Sequence, residues 1–206
     1  MKELAIAKSR LVVPAGSDRA QVALAMACDV IAAALGCEAV GCVVAVTNDP
    51  LGASAAKDLG AHVVPDIPDA GHNPALEHAA DLVHAAGWEC IAALSSDLPA
   101  LSSAELDAVL EAVASTRSGV VADAEGSGTV LFAARQTVLH PRFGAGSFAR
   151  HLDQGAQDLT PEVPAPRGLR QDVDTADDLA AALRIGVGPH TSAALSNHRP
   201  TAAIGG

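Results

Sequence analysis

The feature that most constrains the fold of this chain is a short apolar run, residues 91–94, followed closely by Asp97 and Pro99. The run has no helical period and is flanked by turn-forming residues, so it predicts a buried strand. Pro99 lacks an amide hydrogen and disfavours helical dihedral angles at the residue before it, so the chain turns there. Ser102 and Glu105 then open a helix as a capping box. Asp97 is therefore expected at the carboxyl end of a strand, the edge where open α/β sheets bind ligands.

An aspartate at such a strand end has two interpretations. It can hold a divalent cation together with nucleotide phosphates, or it can shape the turn by bonding backbone amides. A second acidic stretch, Asp172-Val173-Asp174-Thr175, follows another predicted strand at residues 169–172. Alternate strand residues share a face, so Asp172 and Asp174 can share one, and either can meet Asp97 across neighbouring strand ends.

Converging carboxylates raise each other's pKa unless a cation lies between them, and Mg²⁺ prefers one or two carboxylates plus substrate phosphates. This pattern favours a metal site at Asp97, Asp172 and Asp174, with helix capping by Asp174 and Thr175 as the alternative.

Composition and charge indicate which kinds of binding partner are disfavoured. The chain has 206 residues, of which 50% are hydrophobic, which fits one α/β domain with a substantial core. A net charge of −11 disfavours nucleic acid and anionic membranes, and 2% aromatic residues disfavour base-stacking platforms. The four cysteines have no metal-ligand spacing, and neither a signal peptide nor a long apolar span is present, so we expect reduced thiols in a cytoplasmic protein. Nothing in the sequence indicates an oligomeric state.

Helical periods alternate with β-branched runs along the chain, which predicts an α/β fold wound around a parallel sheet. The predicted helices are 18–35, 50–59, 75–86 (capped by Asn73), 103–114, 147–153 (capped by Ser147) and 176–185 (capped by Thr175). The predicted strands are 39–47, 61–64, 91–97, 119–122, 129–133 and 169–172, with 129–133 pairing back as a hairpin or leading into an added subregion. Residues 1–190 are predicted to form one domain, and 191–206 a flexible C-terminal tail.

Residues 140–151, HPRFGAGSFARH, have the composition of a ligand-binding loop. Gly144 and Gly146 allow close approach of the backbone to a ligand, and the exposed amides of such a turn form an anion nest before the helix at Ser147. An ordinary loop before a helix is the alternative, and the neighbouring Arg142 and Arg150 favour the anion site.

Several motifs, in this order and at this spacing, closely resemble the actinobacterial phosphoenolpyruvate guanylyltransferases. That group belongs with the 2-phospho-L-lactate guanylyltransferases of coenzyme F-420 biosynthesis. The motifs are Lys2 with AKSRL (7–11), HNPAL (72–76), SDLPAL (96–101), GSGT (126–129), HPRFG…S…ARH (140–151) and LRQDVDT…DL (169–179). The resemblance extends to about Thr191.

The resemblance implies a Rossmann-like nucleotidyltransferase fold of the glycosyltransferase-A kind, a three-layer sandwich with a mostly parallel sheet. It implies transfer of GMP from GTP to phosphoenolpyruvate with Mg²⁺, giving enolpyruvyl-diphospho-5'-guanosine and pyrophosphate. It matches Asp97 and Asp172 to the metal positions, and Thr129, Gly144 and Ser147 to the phosphoenolpyruvate site. It also matches Lys2, Lys8 and Arg10 to the nucleotide-phosphate loop and Asn73 to the nucleoside. Lys8 and Arg10 would stabilise the leaving pyrophosphate, which makes them catalytic candidates with the two aspartates.

In this family an apolar strand precedes the position of Lys2 and forms the first, central strand of the sheet. Met1 stands here where that strand ends. We therefore expect either a start that lies upstream, which we favour, or another segment in the same place.

Four alternatives stay open at this point. The sequence does not distinguish phosphoenolpyruvate as the acceptor substrate from 2-phospho-L-lactate or 3-phosphoglycerate, since these compounds differ by small changes at one carbon. A molybdenum-cofactor-type nucleotidyltransferase is disfavoured by the missing LxGGxSxRM-type loop near the start. A non-catalytic nucleotide-binding module is disfavoured by the presence of both acidic motifs and of the loop at 140–147.

Overall fold

The computed structural model describes residue 13 and residues 18–196. The helices are α1 (Arg19–Leu35), α2 (Pro50–Leu59), α3 (His72–Ala85), α4 (Ser103–Val113), α5 (Ser147–Asp153), α6 (Ala176–Ile185) and α7 (Pro189–Ser196). The strands are β1 (Val44–Val46), β2 (His62–Val64), β3 (Cys90–Leu94), β4 (Ser118–Ala122), β5 (Thr129–Arg135) and β6 (Gln157–Asp158). Two 3₁₀ turns, Thr160–Glu162 and Gly168–Arg170, complete the described elements.

The described strands form two sheets. β1 and β2 pair in parallel, and a larger sheet has the order β3-β5-β4-β6. β5 runs antiparallel to both β3 and β4, whereas β6 is parallel to β4, so β3, β4 and β6 share one direction. The carboxyl ends of β3 and β4 therefore lie at the same edge as the amino end of β5. The predicted hairpin between β4 and β5 is confirmed.

Helices cover both faces of the larger sheet, which gives the three-layer arrangement expected of the fold. Along β5, Leu131 and Ala133 join a cluster with α1 and α4, and the alternate Phe132 and Ala134 join a second cluster with α3. Because successive strand residues point to opposite faces, β5 holds the two helical layers together from the middle of the sheet. Leu131 and Ala133 are completely buried.

Local signals explain where the helices begin and end. The Asp18 carboxylate caps α1 by accepting a 2.9 Å hydrogen bond from the Ala20 amide. α4 and α6 both begin with the predicted capping boxes, Ser102 with Glu105 and Thr175 with Asp178.

Besides small shifts in element bounds, two predicted strands and two predicted helix caps differ in the structure. The strand at 39–47 is reduced to β1, because only that part has a paired neighbour in β2. The strand at 169–172 is instead the 3₁₀ turn Gly168–Arg170 followed by an irregular segment. Gly71, not Asn73, occupies the cap position of α3, and Gly146, not Ser147, that of α5.

The predicted flexible tail also needs correction at its start. Residues 191–196 belong to α7, whose first turn is held by the Asp29 carboxylate through hydrogen bonds from the amides of His190 (2.9 Å) and Thr191 (2.8 Å). Thr191 is completely buried. The rest of the predicted tail, 197–206, lies outside the described residues.

A mostly apolar cavity of about 1090 Å³ separates the two sheets and is lined by both β1 and β3. Residues 39–43, which were predicted as strand, also line it, together with Trp88 and apolar residues of α1 and α4. Within the described strands, β3 is the edge strand of the larger sheet that faces this cavity. The expectation about the first strand concerns residues at and before Lys2, which lie outside the described part of the chain, so it stays a prediction.

Among the described residues, no helix combines the length and the apolar character needed to cross a bilayer.

Candidate active site

Two acidic segments meet at the carboxyl ends of the strands. Asp97 follows β3, and its carbonyl oxygen accepts a 3.0 Å hydrogen bond from the amide of Val173. Val173 is completely buried against α1 and α6, which fixes this segment in place. Asp172 and Asp174 therefore flank an anchored residue directly beside Asp97. The predicted convergence is present, although an irregular segment, not a strand, produces it.

Gly168 makes this approach possible. A Cβ atom at this position would overlap the carbonyl oxygen of Ala100, so any side chain would push the 3₁₀ turn away from the turn that follows Asp97. The close backbone contact at Gly168 thus brings the segment of Asp172 against the end of β3.

Asp172 has the most perturbed carboxylate of this cluster. Burial, followed by the negative charges of Asp97, Asp123 and Asp174, raises its pKa to about 7. The Asp172 side chain is half-buried, so solvent screens the repulsion from these charges only in part. Near neutral pH, ionisation of Asp172 is therefore opposed by repulsion from the neighbouring carboxylates. Binding of a cation or a proton would relieve this repulsion.

Asp123 is a member of this cluster that the sequence did not single out. It ends β4, and its carboxylate accepts hydrogen bonds from the amides of Ser127 (3.0 Å) and Gly128 (2.7 Å). The Arg170 guanidinium lies at this end of β4 and donates hydrogen bonds to the carbonyl oxygens of Ala122 and Asp123. The signal in the sequence was a buried strand ending in aspartate, which is the pattern already recognised at Asp97.

The donor set suits a metal that draws part of its coordination from substrate. Within the described part of the chain, no group of three or more His, Cys, Asp or Glu side chains is arranged to hold a metal ion. A pair of carboxylates such as Asp97 and Asp172 nevertheless fits Mg²⁺, which commonly binds one or two carboxylates together with phosphate oxygens and water. The mutual repulsion at Asp172 would be relieved by such an ion.

A second cluster forms at the amino end of β5. Thr129 Oγ1 lies 2.9 Å from His151 Nδ1, and the amide of Arg142 donates a 2.8 Å hydrogen bond to His151 Nε2. The amide of Phe148 donates to the carbonyl oxygen of Ser127, which ties α5 to the turn between β4 and β5. That same turn carries Asp123, so a single turn joins the acidic cluster to the second cluster.

The loop before α5 presents several donors. Gly144 and Gly146 both adopt positive φ values, 119° and 68°, and turn the backbone sharply. Among the described residues, no acceptor pairs with the amides of residues 144–146, which are exposed. Ser147 is 1% exposed, and its hydroxyl has no hydrogen-bond partner among the described residues, an uncommon state for a buried polar group. The structure thus brings together Thr129, Gly144 and Ser147, the three residues predicted to bind phosphoenolpyruvate.

Asn73 supports this loop. Its side-chain oxygen accepts a 2.8 Å hydrogen bond from the amide of Phe143, and its Nδ2 donates to the Phe143 carbonyl oxygen at 3.2 Å. The structure therefore places Asn73 against the loop of Gly144, and its predicted contact with the nucleoside stays a prediction.

The predicted cationic groups divide into two sets. Lys2, Lys8 and Arg10 lie outside the described residues, so their nucleotide-binding and catalytic roles stay predictions. Arg150, which favoured an anion site at 140–147, instead donates to the carbonyl oxygens of Ala145 and Arg142 and clamps the loop.

Curated relatives are similar to this chain over most of its length. The chain is 51% identical over 195 residues to a phosphoenolpyruvate guanylyltransferase of Thermomonospora curvata, covering 94% of this chain and 85% of the relative. It is 48% identical over 207 residues to a protein of the same name from Geodermatophilus obscurus, covering 97% and 94%.

A solved structure from Desulfovibrio desulfuricans G20, provisionally assigned as a nucleotide-diphospho-sugar transferase, superposes with a TM-score of 0.65. The superposition covers 95% of this chain and 94% of that one at 14% identity, so it supports the nucleotidyltransferase-like fold alone. Residues 1–200 match the family described as guanylyl transferase CofC like, and the chain belongs to this family.

Proposed function

We propose that this protein transfers GMP from GTP to phosphoenolpyruvate, forming enolpyruvyl-diphospho-5'-guanosine and pyrophosphate for coenzyme F-420 biosynthesis. The observation that carries the proposal is the turn between β4 and β5. This turn connects the carboxylates around Asp172 to the hydrogen-bond donors around Thr129 and Ser147. Family membership supports guanylyl transfer, and the names of two relatives support phosphoenolpyruvate as the second substrate.

The reaction needs alignment more than proton transfer. An oxygen of the acceptor phosphate attacks the α-phosphorus of GTP, a new P–O bond forms, and the bond to the β-phosphate breaks to release pyrophosphate. The attacking phosphate is already ionised near neutral pH, so no general base is required. The work of the protein is to hold two anions in line and to offset their charge.

Asp97 and Asp172 would hold Mg²⁺, with Asp174 next to them. When bound, Mg²⁺ supplies positive charge that polarises the α-phosphate. The raised pKa of Asp172 supports this assignment, because a cation would allow the carboxylate to ionise among its three negative neighbours.

The acceptor would lie at the second cluster. The Thr129 hydroxyl, the Ser147 hydroxyl and the amides around Gly144 are donors suited to the carboxylate or phosphate of phosphoenolpyruvate. The Ser147 hydroxyl is buried in the structure, so a substrate could contact it only after a local rearrangement.

The remaining nucleotide contacts follow from the resemblance. Lys2, Lys8 and Arg10 would bind the GTP phosphates, with Lys8 and Arg10 stabilising the leaving pyrophosphate, and Asn73 would lie near the nucleoside. We infer a cytoplasmic location, which the four free cysteines support.

Initial rates of pyrophosphate release test the proposal. The protein is incubated with GTP and Mg²⁺ plus phosphoenolpyruvate, 2-phospho-L-lactate or 3-phosphoglycerate in turn, and with CTP or ATP in place of GTP. Phosphoenolpyruvate with GTP is expected to give the highest kcat/KM. Preference for another acceptor would reassign the substrate, preference for CTP would favour a molybdenum-cofactor-type enzyme, and no release with any pair would leave a non-catalytic nucleotide-binding module.

A further inference from the structure

His151 is a buried side chain that links both walls of the candidate acceptor site. It lies in α5, is completely buried and stacks on Phe132 of β5 with ring centroids 4.2 Å apart. Phe143 contacts it edge-on at 5.5 Å. One ring nitrogen faces Thr129 in β5, and the other faces the amide of Arg142 in the loop. The ring therefore has no freedom to turn without breaking both hydrogen bonds.

The partners of the ring assign its tautomer. An amide N–H can only donate, so His151 Nε2, which faces the Arg142 amide, must be the bare nitrogen. A neutral imidazole with a bare Nε2 has its hydrogen on Nδ1, and Nδ1 then donates to Thr129 Oγ1. Burial, followed by the positive charge of Arg150, lowers the pKa of His151 to about 4. A hydrogen bond to the Ser147 backbone opposes this shift, and the charge of Arg142 adds to it, so the ring stays neutral near pH 7.

The tautomer decides what Thr129 can do. A threonine hydroxyl has one hydrogen and two lone pairs, and here one lone pair receives the hydrogen of Nδ1. The hydroxyl hydrogen is then directed away from the ring, so Thr129 acts as a donor to a further group. A carboxylate or phosphate accepts such a hydrogen bond, whereas the opposite tautomer would have taken up the Thr129 hydrogen.

We propose that His151 is a positioning residue for the acceptor, because its Nδ1–H orients the Thr129 hydroxyl to donate toward the acceptor anion. This inference rests on the proposed function, since it assumes that the acceptor anion lies at Thr129. His151 itself contacts neither substrate and acts only through Thr129.

Two substitutions separate orientation from packing. His151→Asn keeps an N–H donor near the position of Nδ1, and His151→Gln keeps a polar group near Nε2 but loses the donor to Thr129; both remove the stacked ring. With GTP and phosphoenolpyruvate, His151→Gln is expected to raise the KM for phosphoenolpyruvate roughly tenfold relative to His151→Asn, the size of one lost hydrogen bond to a charged group. The KM for GTP should differ little between them.

A Thr129→Val background supplies the control. Without the hydroxyl there is nothing to orient, so the difference between the Asn and Gln variants should vanish. Equal KM values for the two variants when Thr129 is present, or a difference between them that persists after Thr129→Val, would overturn the inference. Failure of the unsubstituted protein to turn over phosphoenolpyruvate would instead overturn the proposed function.

The tautomer also has a test that needs no substitution at His151. Nitrogen-15 NMR of the uniformly labelled protein near pH 7 should show a ring with the hydrogen on Nδ1 and a bare Nε2. A hydrogen on Nε2 would overturn the inference even if both His151 variants failed to fold.

Discussion

The amide of Val173 donates a 3.0 Å hydrogen bond to the carbonyl oxygen of Asp97. This one backbone bond holds two segments, more than seventy residues apart in sequence, with their carboxylates side by side. Because Val173 is buried in the core against α1 and α6, the geometry of the acidic cluster is set by packing of the domain. Substitutions that change only the charge of these side chains should therefore leave the fold intact.

Replacing Asp97 by Asn should nearly abolish turnover while the far-ultraviolet circular dichroism spectrum stays unchanged. The substitution removes the charge that recruits Mg²⁺ with little change in volume. Steady-state rates over a range of Mg²⁺ concentrations provide the measurement. Asp81→Asn, an exposed position on α3, is the matched control and should behave as the unsubstituted protein. Near-normal turnover of Asp97→Asn at low Mg²⁺ would remove Asp97 from the metal site.

Asp172→Asn should raise the melting temperature in EDTA above about pH 7, and the gain should shrink as the pH falls toward 4. Burial and three neighbouring carboxylates raise the pKa of Asp172 to about 7 in the folded protein. A raised folded-state pKa favours folding at low pH, and this contribution is lost as the pH rises through 7. Melting curves at several pH values check this. A pH-independent difference would show that the charge of Asp172 is not under repulsion.

Ser147→Ala should raise the KM for phosphoenolpyruvate roughly tenfold, the size of one lost hydrogen bond to a charged group, with a smaller effect on the KM for GTP. The melting temperature should stay the same or rise, because the hydroxyl is buried without a partner among the described residues. Ser54→Ala, on the exposed side of α2, is the control. Equal changes in both KM values would place the loop outside the acceptor site.

Much of the site was predictable because its local signals are strong. A buried strand ending in Asp97, the capping box at Ser102 and Glu105, and the glycines before Ser147 each depend on short-range chemistry that sequence displays directly. Helix ends were less certain, and Gly71 and Gly146 took the cap positions predicted for polar residues. Asn73 instead accepts a hydrogen bond from the amide of Phe143, and the Ser147 hydroxyl has no partner among the described residues.

Features that depend on distant contacts were missed. The antiparallel insertion of β5 between β3 and β4 was not predicted, because strand order is a long-range property. The contacts of His151 were missed for the same reason, since Thr129 and Arg142, its partners, lie in other segments. The convergence of residues 172–174 on Asp97 was predicted, but the close contact of Gly168 with Ala100 that allows it was missed, because that contact has no local signature.

The free energy of unfolding of the unsubstituted protein, measured relative to that of His151→Asn, should decrease as the pH falls from about 6.5 to about 4. The folded-state pKa of His151 is lowered to about 4 by burial and by two arginines, so its contribution is present above the unfolded value and lost as the pH falls. Protonation at Nε2 would also place an N–H against the Arg142 amide. Urea unfolding across this interval measures the difference, and parallel curves would show that His151 does not titrate in this way.

The most direct test of the central claim follows labelled oxygen from phosphoenolpyruvate. Phosphoenolpyruvate carrying oxygen-18 at the three terminal phosphate oxygens is incubated with unlabelled GTP, Mg²⁺ and the protein, and the products are resolved by mass spectrometry. Attack of the acceptor phosphate on the α-phosphorus predicts enolpyruvyl-diphospho-5'-guanosine that keeps all three labelled oxygens, and pyrophosphate that has none. Labelled pyrophosphate, or GMP without the diphosphate product, would contradict the account.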